Sequence, residues 1–331
     1  MEIAITLKLN PPAKRTSNPD LTIIFHANLR NCLLHKEMKI VRNSCPVCKA
    51  ENISFALKAI DHTVSHEEFE IWQCSDCTLR FTQSVPGENE IGAYYRSENY
   101  ISHSDIDKGI INSLYHKVRK RTLVSKRKLI EAYVSKGKIL DVGCGTGAFL
   151  HTMQMAGWQI TGLEPDETAR IKASQLYNLR IEEPARLYDL HGQAFDAITL
   201  WHVLEHVHDL DNHIDRVGEL LKPDGRLFIA VPNYTSYDQT VYKNFWAAYD
   251  VPRHLYHFSP KSMKRLLQRH KLKLMSIKPM WYDSFYVSML SEKNKTGKNN
   301  LIKSCFVGLM SNYKALWNKE RCSSIIYVVG R

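Results

Sequence analysis

The sequence predicts an α/β protein: a mostly parallel sheet with helices on both faces, preceded by a small metal-binding module. Two observations carry this. From Lys138 onward, short apolar runs alternate with glycine turns and helical periods, the pattern of repeated strand–helix–strand units. Ahead of them, Cys45/Cys48 and Cys74/Cys77 form two Cys-x-x-Cys knuckles with 25 residues between them. The 331 residues suffice for two such units at about 150 residues per domain. With 44% hydrophobic and 24% charged residues, the composition is that of a folded chain and not of a disordered one. No apolar run approaches the roughly 18 residues needed to span a bilayer, so a cytoplasmic address is expected. There, clustered cysteines read as metal ligands before disulfides.

Taken in order, residues 1–37 contain three prolines and no sustained period, and read as disordered or as a non-native start, since Met38 opens directly onto the first knuckle. Residues 38–90 show short alternating stretches around the cysteines. Residues 91–135 begin with Tyr94, Tyr95 and Tyr100 and continue as a basic helical connector. Residues 136–331 hold the α/β unit. Strands are expected at 138–142, 159–163, 195–200 and 226–231, with helices at 148–156 and 210–221, the latter ending in a turn at 222–225. The net charge of +11 is uneven: residues 108–138 carry 10 basic and 1 acidic side chains, and 253–331 carry 16 and 3. That pattern fits either a solvated basic face or a polyanionic partner.

The cysteine quartet has the chemistry of a structural zinc site. Two residues between cysteines let both thiolates of one turn face a single ion, and two such turns complete a tetrahedral shell of Cys45, Cys48, Cys74 and Cys77. Four thiolates leave no open position, which argues against a catalytic metal there.

The run Asp141-Val142-Gly143-Cys144-Gly145-Thr146-Gly147 lies where a strand ends and a helix begins, so its glycines permit close approach of a ligand to the backbone. Gly143, Gly145 and Ala148 satisfy G-x-G-x-x-A, and Glu164 follows about twenty residues later, where an acid would take ribose hydroxyls. These features indicate a nucleotide-type cofactor without choosing between NAD and S-adenosylmethionine.

In their serial order, the runs at 139–147, 162–165, 195–198, 202–207, 221–226 and 231–233 resemble the motifs of class I S-adenosylmethionine-dependent methyltransferases over about residues 136–260. The resemblance implies a Rossmann-like, seven-stranded, mostly parallel sheet and S-adenosylmethionine as cofactor. Asp141, Gly143, Cys144, Gly145 and Gly147 would hold its methionine end, Glu164 its ribose, and Leu200, Trp201 and His202 its adenine side. His202-Val203-Leu204-Glu205-His206 also matches the H-x-x-E-H zinc-peptidase signature, but it follows a strand inside a cofactor fold. Ubiquinone-type relatives carry E-x-x-E-H here and are associated with a divalent metal. In this chain the first position is His202, so a second metal at His202, Glu205 and His206 stays open.

Residues 246–259 gather aromatics, His254, His257, Asp250, Arg253 and Tyr256 after an expected strand end, a composition suited to a polar substrate with a base beside it. The stretch is similar to one in zinc-ribbon sugar C-methyltransferases, whose base His254 would match, although Arg253 stands where those enzymes have Glu. His254 is therefore the expected general base, with His206 in reserve, because imidazole titrates near neutrality. Tyr94, Tyr95, Tyr100, Asp250, Arg253 and Tyr256 are expected to line the acceptor. The acceptor itself is expected to be a small molecule, a sugar, sugar nucleotide or glycan precursor. RNA is the alternative, given the basic connector, and a non-catalytic cofactor-binding protein is a third reading.

Overall fold

The computed structural model describes residues 39–95 and 110–331. Two sheets organise them. The larger has six strands in the order β5-β4-β6-β7-β10-β9. These are β4 (Lys138–Val142), β5 (Gln159–Leu163), β6 (Phe195–Trp201), β7 (Leu221–Pro232), β9 (Lys273–Pro279) and β10 (Ser324–Gly330). Pairing is parallel from β5 through β7, and β10 runs antiparallel to both β7 and β9.

Alternation along these strands separates two cores. Leu140, Val142, Ile198, Leu200, Leu227 and Ile229 face one side, packed with α4 (Leu210–Leu220) and α6 (Pro260–Arg269). Ile139, Ala197, Phe228 and Ala230 face the other, packed with Ile130 of α1 (Ile110–Glu131) and with Phe149 and Met153 of α2 (Ala148–Gln154). Burial on both faces is what near-continuous apolar strands require.

The expected seventh strand is not formed among the described residues. After α3 (Glu167–Tyr177), the chain makes one parallel bridge, Leu163 to Glu182, with Glu164 N–H donating to the Glu182 carbonyl at 2.9 Å and Glu182 N–H donating to that of Gly162 at 3.0 Å. Pro184 then opens a 3₁₀ turn and has no N–H for a continuing ladder, so the edge strand stops at its first rung. The turn expected at 222–225 is instead carried inside β7, where the register shifts between Phe195 and Ala197. Lys222 pins this irregularity with 2.8 and 2.9 Å bonds to both Asp196 carboxylate oxygens.

The smaller sheet is antiparallel, in the order β1-β2-β3-β8: β1 (Ile53–Ile60), β2 (Glu68–Cys74), β3 (Arg80–Thr82) and β8 (Tyr256–His257). Its fourth strand comes from a segment about 170 residues after the third, so the cysteine module and the α/β sheet share a backbone ladder, Arg80 to His257 and Phe81 to Tyr256. They also share a core, since Cys45, Val47, Cys74, Leu79 and Phe81 belong to the same buried cluster as Leu140 and Leu200. Arg269 at the end of α6 donates to the Val47 carbonyl at 2.6 Å, and Thr78 bonds at 2.7 Å to Ser259, the N-cap of α6. The remaining helices are α5 (Tyr237–Tyr242), α7 (Asp283–Thr296) and α8 (Leu301–Trp317); the last two form a hairpin inserted between β9 and β10.

Candidate active site and metal centre

β4 is where the parallel sheet changes direction, with β5 on one side and β6 on the other, the position at which such sheets bind ligands. The glycine turn lies at its carboxyl end. Gly143, Gly145 and Gly147 have φ of 70°, 54° and 76°, a region costly for residues with a Cβ. A Cβ at Gly143 would stand 2.5 Å from Val203 Cγ2, whereas one at Gly145 would meet nothing within 4 Å. The backbone is thus closed by Val203 on one side and open at Gly145.

Glu164 braces that open stretch. Its Oε2 accepts from Gly145 N–H at 2.7 Å and its Oε1 from Asp166 N–H at 3.0 Å. Each oxygen keeps acceptor capacity, enough for two hydroxyls. Burial raises the Glu164 pKa against those two donors. Asp141 is deeply buried and accepts from Thr199 Oγ1 at 2.5 Å; burial pushes it up to about 7, opposed by that bond and by the Lys126 charge. A cationic ligand beside the open loop would draw Asp141 to its ionised form, because a nearby positive charge favours the carboxylate. Burial drives the Cys144 thiol upward, so it is no nucleophile.

Leu200 and Trp201 end β6, the next strand over, and His202 follows it. Lys126 Nζ stands 4.2 Å from the Trp201 ring centroid and Phe149 meets that ring edge-on at 5.6 Å. His202 has φ 58° and its N–H donates to the Ala230 carbonyl at 3.0 Å. Its ring lies between two carboxylates, Nδ1 at 3.3 Å from Glu205 Oε1 and Nε2 at 3.1 Å from Asp283 Oδ2. Burial alone would depress its pKa, but the bonds to Asp283 and Glu205 prevail and push it up to about 10. Asp283 and Lys126 escaped the sequence reading. Asp283 lies 81 residues from its partner and Lys126 sits in a run of like-charged neighbours, so neither carried a local signal.

The cluster expected to hold the acceptor is built around His254. Its Nδ1 lies 2.9 Å from the Ala248 carbonyl, and a carbonyl only accepts, so the hydrogen sits on Nδ1 and Nε2 carries the lone pair. The same reasoning applies to His206, whose Nδ1 is 3.0 Å from the Arg253 carbonyl and 2.9 Å from Tyr95 Oη. The two rings meet edge-to-face at 4.6 Å. Burial, followed by the charge of His254, lowers the His206 pKa to about 4, so this ring is neutral at physiological pH. Asp250 Oδ2 is 3.9 Å from His254 Nε2. Burial opposes its ionisation, but the Arg253 bond and the charges of His254, Arg253 and His206 together outweigh burial and hold the carboxyl below its ordinary value.

Of the other residues expected to line the acceptor, Arg253, Tyr256 and Tyr94 are engaged elsewhere. Arg253 is buried, and its guanidinium donates to Asp61 at 2.8 Å, to Asp250 at 2.6 Å and to the Tyr94 carbonyl at 2.8 Å. It ties the loop carrying His254 to the cysteine module. Tyr256 is buried in the smaller sheet, donating to the His208 carbonyl at 3.1 Å. The Tyr94 hydroxyl donates to Glu67 at 3.1 Å, and Tyr95 reaches His206. Tyr100 lies outside the described residues. Thr82 of β3, which the sequence did not single out, donates to the His254 carbonyl at 2.7 Å and to the Leu255 carbonyl through its own N–H at 3.0 Å.

Two groups have the donor sets of metal sites. The sulfurs of Cys45, Cys48, Cys74 and Cys77 all lie within 4.8 Å of one another, with Cys45–Cys77 and Cys48–Cys74 at 3.5 Å. A tetrahedral ion with bonds of about 2.3 Å sets its sulfurs about 3.8 Å apart, so this cage fits zinc. Both knuckles turn alike, with Lys49 and Thr78 at φ 65° and their N–H groups donating to the Cys45 and Cys74 carbonyls. The bond from Cys77 holds Cys45 low, at about 5, whereas Cys77 is driven far up by that thiolate and by burial. A cation at the centre would let all four ionise together. The second group is Glu205, His206 and His254; His202 stands outside it, held by Asp283. Glu205 Oε2 is buried without a hydrogen-bond partner.

A family model described as a methyltransferase domain matches residues 115–277. The chain carries a class I S-adenosylmethionine-dependent methyltransferase domain. Among curated proteins, a ubiquinone biosynthesis O-methyltransferase of Chelativorans sp. is 36% identical over 106 residues, 30% of this chain and 41% of the relative. One from Chromobacterium violaceum is 28% identical over 166 residues, 46% of this chain and 71% of the relative. The chain thus spans under half the length of the first of these. A solved S-adenosylmethionine-dependent methyltransferase from Archaeoglobus fulgidus aligns over 67% of this chain and all of its own, at 16% identity and TM-score 0.46. The methyltransferase match begins in α1 and ends in β9, leaving both knuckles before it and α7, α8 and β10 after it.

The His202–Asp283 pair predicts a pH signature. A histidine whose folded pKa is raised stabilises the fold fully below its unfolded value of about 6.5 and ceases to do so as pH passes through the folded value, about 10. Asp283, held below its ordinary value, contributes only above about pH 4. Asp283→Asn should therefore destabilise the methyltransferase domain most between about pH 5 and 6, with the deficit shrinking steadily toward pH 10. Urea midpoints across that range check this; a deficit independent of pH would show that the pair does not titrate as described.

Proposed function

We propose that this chain transfers the methyl group of S-adenosylmethionine to a hydroxyl-bearing small molecule, with His254 as general base and a structural zinc ion in the cysteine cage. The observation that carries the reading is the turn at 202–206. On one side its Val203 abuts the glycine loop; on the other, Glu205 and His206 face His254. A cofactor held at β4 and an acceptor held beside His254 would thus meet across one short turn, the arrangement that converts a bimolecular reaction into a positioned one.

S-adenosylmethionine supplies, when bound, an electrophilic methyl on a sulfonium. The chain's residues do the rest. Glu164 would accept from the ribose hydroxyls and Asp141 would balance the cationic methionine end. His254 Nε2 takes the acceptor's hydroxyl proton as the new O–CH₃ bond forms and the S–CH₃ bond breaks. Tyr95, Asp250 and His206 favour a polar acceptor, which supports a sugar, sugar nucleotide or glycan precursor. The names of the relatives point instead to an O-methylated quinone precursor in those proteins. Incubation with methyl-labelled cofactor and two panels, sugar nucleotides and catechols, decides the class: label in the sugar panel supports the reading, and label confined to catechols replaces it. Label in RNA, with salt-dependent binding, would displace both.

The unpartnered Glu205 oxygen favours a second reading, in which a divalent cation sits among Glu205, His206 and His254 and lowers the pKa of an acceptor oxygen. Turnover abolished by chelation and restored by iron(II), an ion that two imidazoles and a carboxylate suit, would establish it.

For the cofactor, calorimetry should give binding of S-adenosylmethionine and none of NAD. Glu164→Ala should weaken the former by about 1.5 to 3 kcal/mol, the worth of a charge-assisted hydrogen bond. Tight NAD binding without an S-adenosylmethionine signal would overturn the assignment.

A further inference from the structure

The α7–α8 hairpin is built with its polarity reversed. On α8, the residues turned inward are Ser304, Val307, Gly308, Ser311 and Ala315, all but Val307 small. The helices approach so closely that a Cβ on Gly308 would stand 2.7 Å from Phe285 Cδ1 and 3.0 Å from its Cα. The large apolar residues point outward. Ile302, Phe306, Leu309, Tyr313 and Leu316 recur at steps of four and three along one face, with Trp317 beside them, exposed by 86%, 60%, 59%, 50%, 68% and 80%. A continuous exposed stripe of this size marks an interaction surface.

The charge around the stripe selects its occupant. Between 283 and 317 the chain has five lysines, Lys293, Lys295, Lys298, Lys303 and Lys314, against two acids. Both acids are engaged, Asp283 by His202 at 3.1 Å and Glu292 by Lys303 at 2.9 Å. Lys293, Lys295 and Lys298 cluster exposed at the hairpin tip, and Lys314 is exposed beside the stripe. A second copy docked through the same face would set these lysines against themselves. No helix among the described residues is long and apolar enough to cross a membrane.

We propose that this hairpin seats the protein on an anionic lipid surface, with α8 lying in the plane of the interface. Its apolar residues enter the acyl boundary and the tip lysines meet lipid phosphates.

The test is co-sedimentation of the full chain with vesicles of phosphatidylcholine alone or mixed equally with phosphatidylglycerol. Binding should require phosphatidylglycerol and weaken as salt rises. Lys293→Glu/Lys295→Glu/Lys298→Glu should reduce partitioning by about fivefold or more per lysine. Phe306→Ser/Leu309→Ser should reduce it at least about tenfold. Because all five side chains are exposed, unfolding midpoints and S-adenosylmethionine calorimetry should match wild type, which separates this result from any failure of the methyltransferase reading. Absent binding to phosphatidylglycerol vesicles, or undiminished binding by both variants, overturns the proposal. So does a dimer in sedimentation velocity that dissociates in Phe306→Ser/Leu309→Ser without vesicle binding, which would assign the stripe to a second copy.

Discussion

His254→Ala should lower turnover by roughly 10²- to 10⁴-fold while leaving S-adenosylmethionine affinity unchanged, the contribution of a positioned general base. The expectation is spatial. His254 is held by the Ala248 carbonyl with its Nε2 toward Asp250 and its ring clustered with Glu205 and His206, on the far side of the 202–206 turn from the glycine loop. His206→Ala removes a neutral ring that packs on His254 and reaches Tyr95, so it should cost less in rate and more in acceptor KM. Steady-state constants for both variants, with cofactor affinity by calorimetry, decide the matter. Full turnover by His254→Ala on the true acceptor would return the proton to His206 or to the acceptor itself.

Cys45→Ser should abolish stoichiometric zinc and destabilise the protein by about 4 kcal/mol or more, since loss of a structural metal is among the few single changes with so large an effect. The damage should spread toward the acceptor. The cage abuts β3, β3 pairs with β8, and Thr82 holds the His254 and Leu255 carbonyls. Turnover should therefore fall, while cofactor affinity, set at the ends of β4 and β5, is preserved in whatever fraction stays folded. Elemental analysis, urea denaturation and calorimetry read the three effects separately. Unchanged zinc in both Cys45→Ser and Cys74→Ser would refute the cage.

What was legible in the sequence was local. A strand buried on both faces is a short apolar run, so Lys138–Val142 and Gln159–Leu163 emerge with the boundaries expected of them. The glycine turn and the two knuckles are legible for the same reason, because each depends on backbone geometry within a handful of residues. The missing seventh strand was also a local matter, since Pro184 stands in the sequence where the ladder stops.

The packing around His254 was not legible, because its contacts join residues far apart in the chain. Arg253 looks from its neighbours like a substrate ligand, yet burial obliges a guanidinium to find carboxylates, and it finds Asp61, 192 residues away, as well as nearby Asp250. His202 sits in a motif that suggests a ligand, but Glu205 and Asp283 between them engage both of its ring nitrogens. The outward stripe of α8 has a helical period that names no inside or outside. Periodicity shows that a helix has an apolar face; only packing shows that Gly308 and its small neighbours took the inward side, because two helices can approach that closely only where side chains are absent.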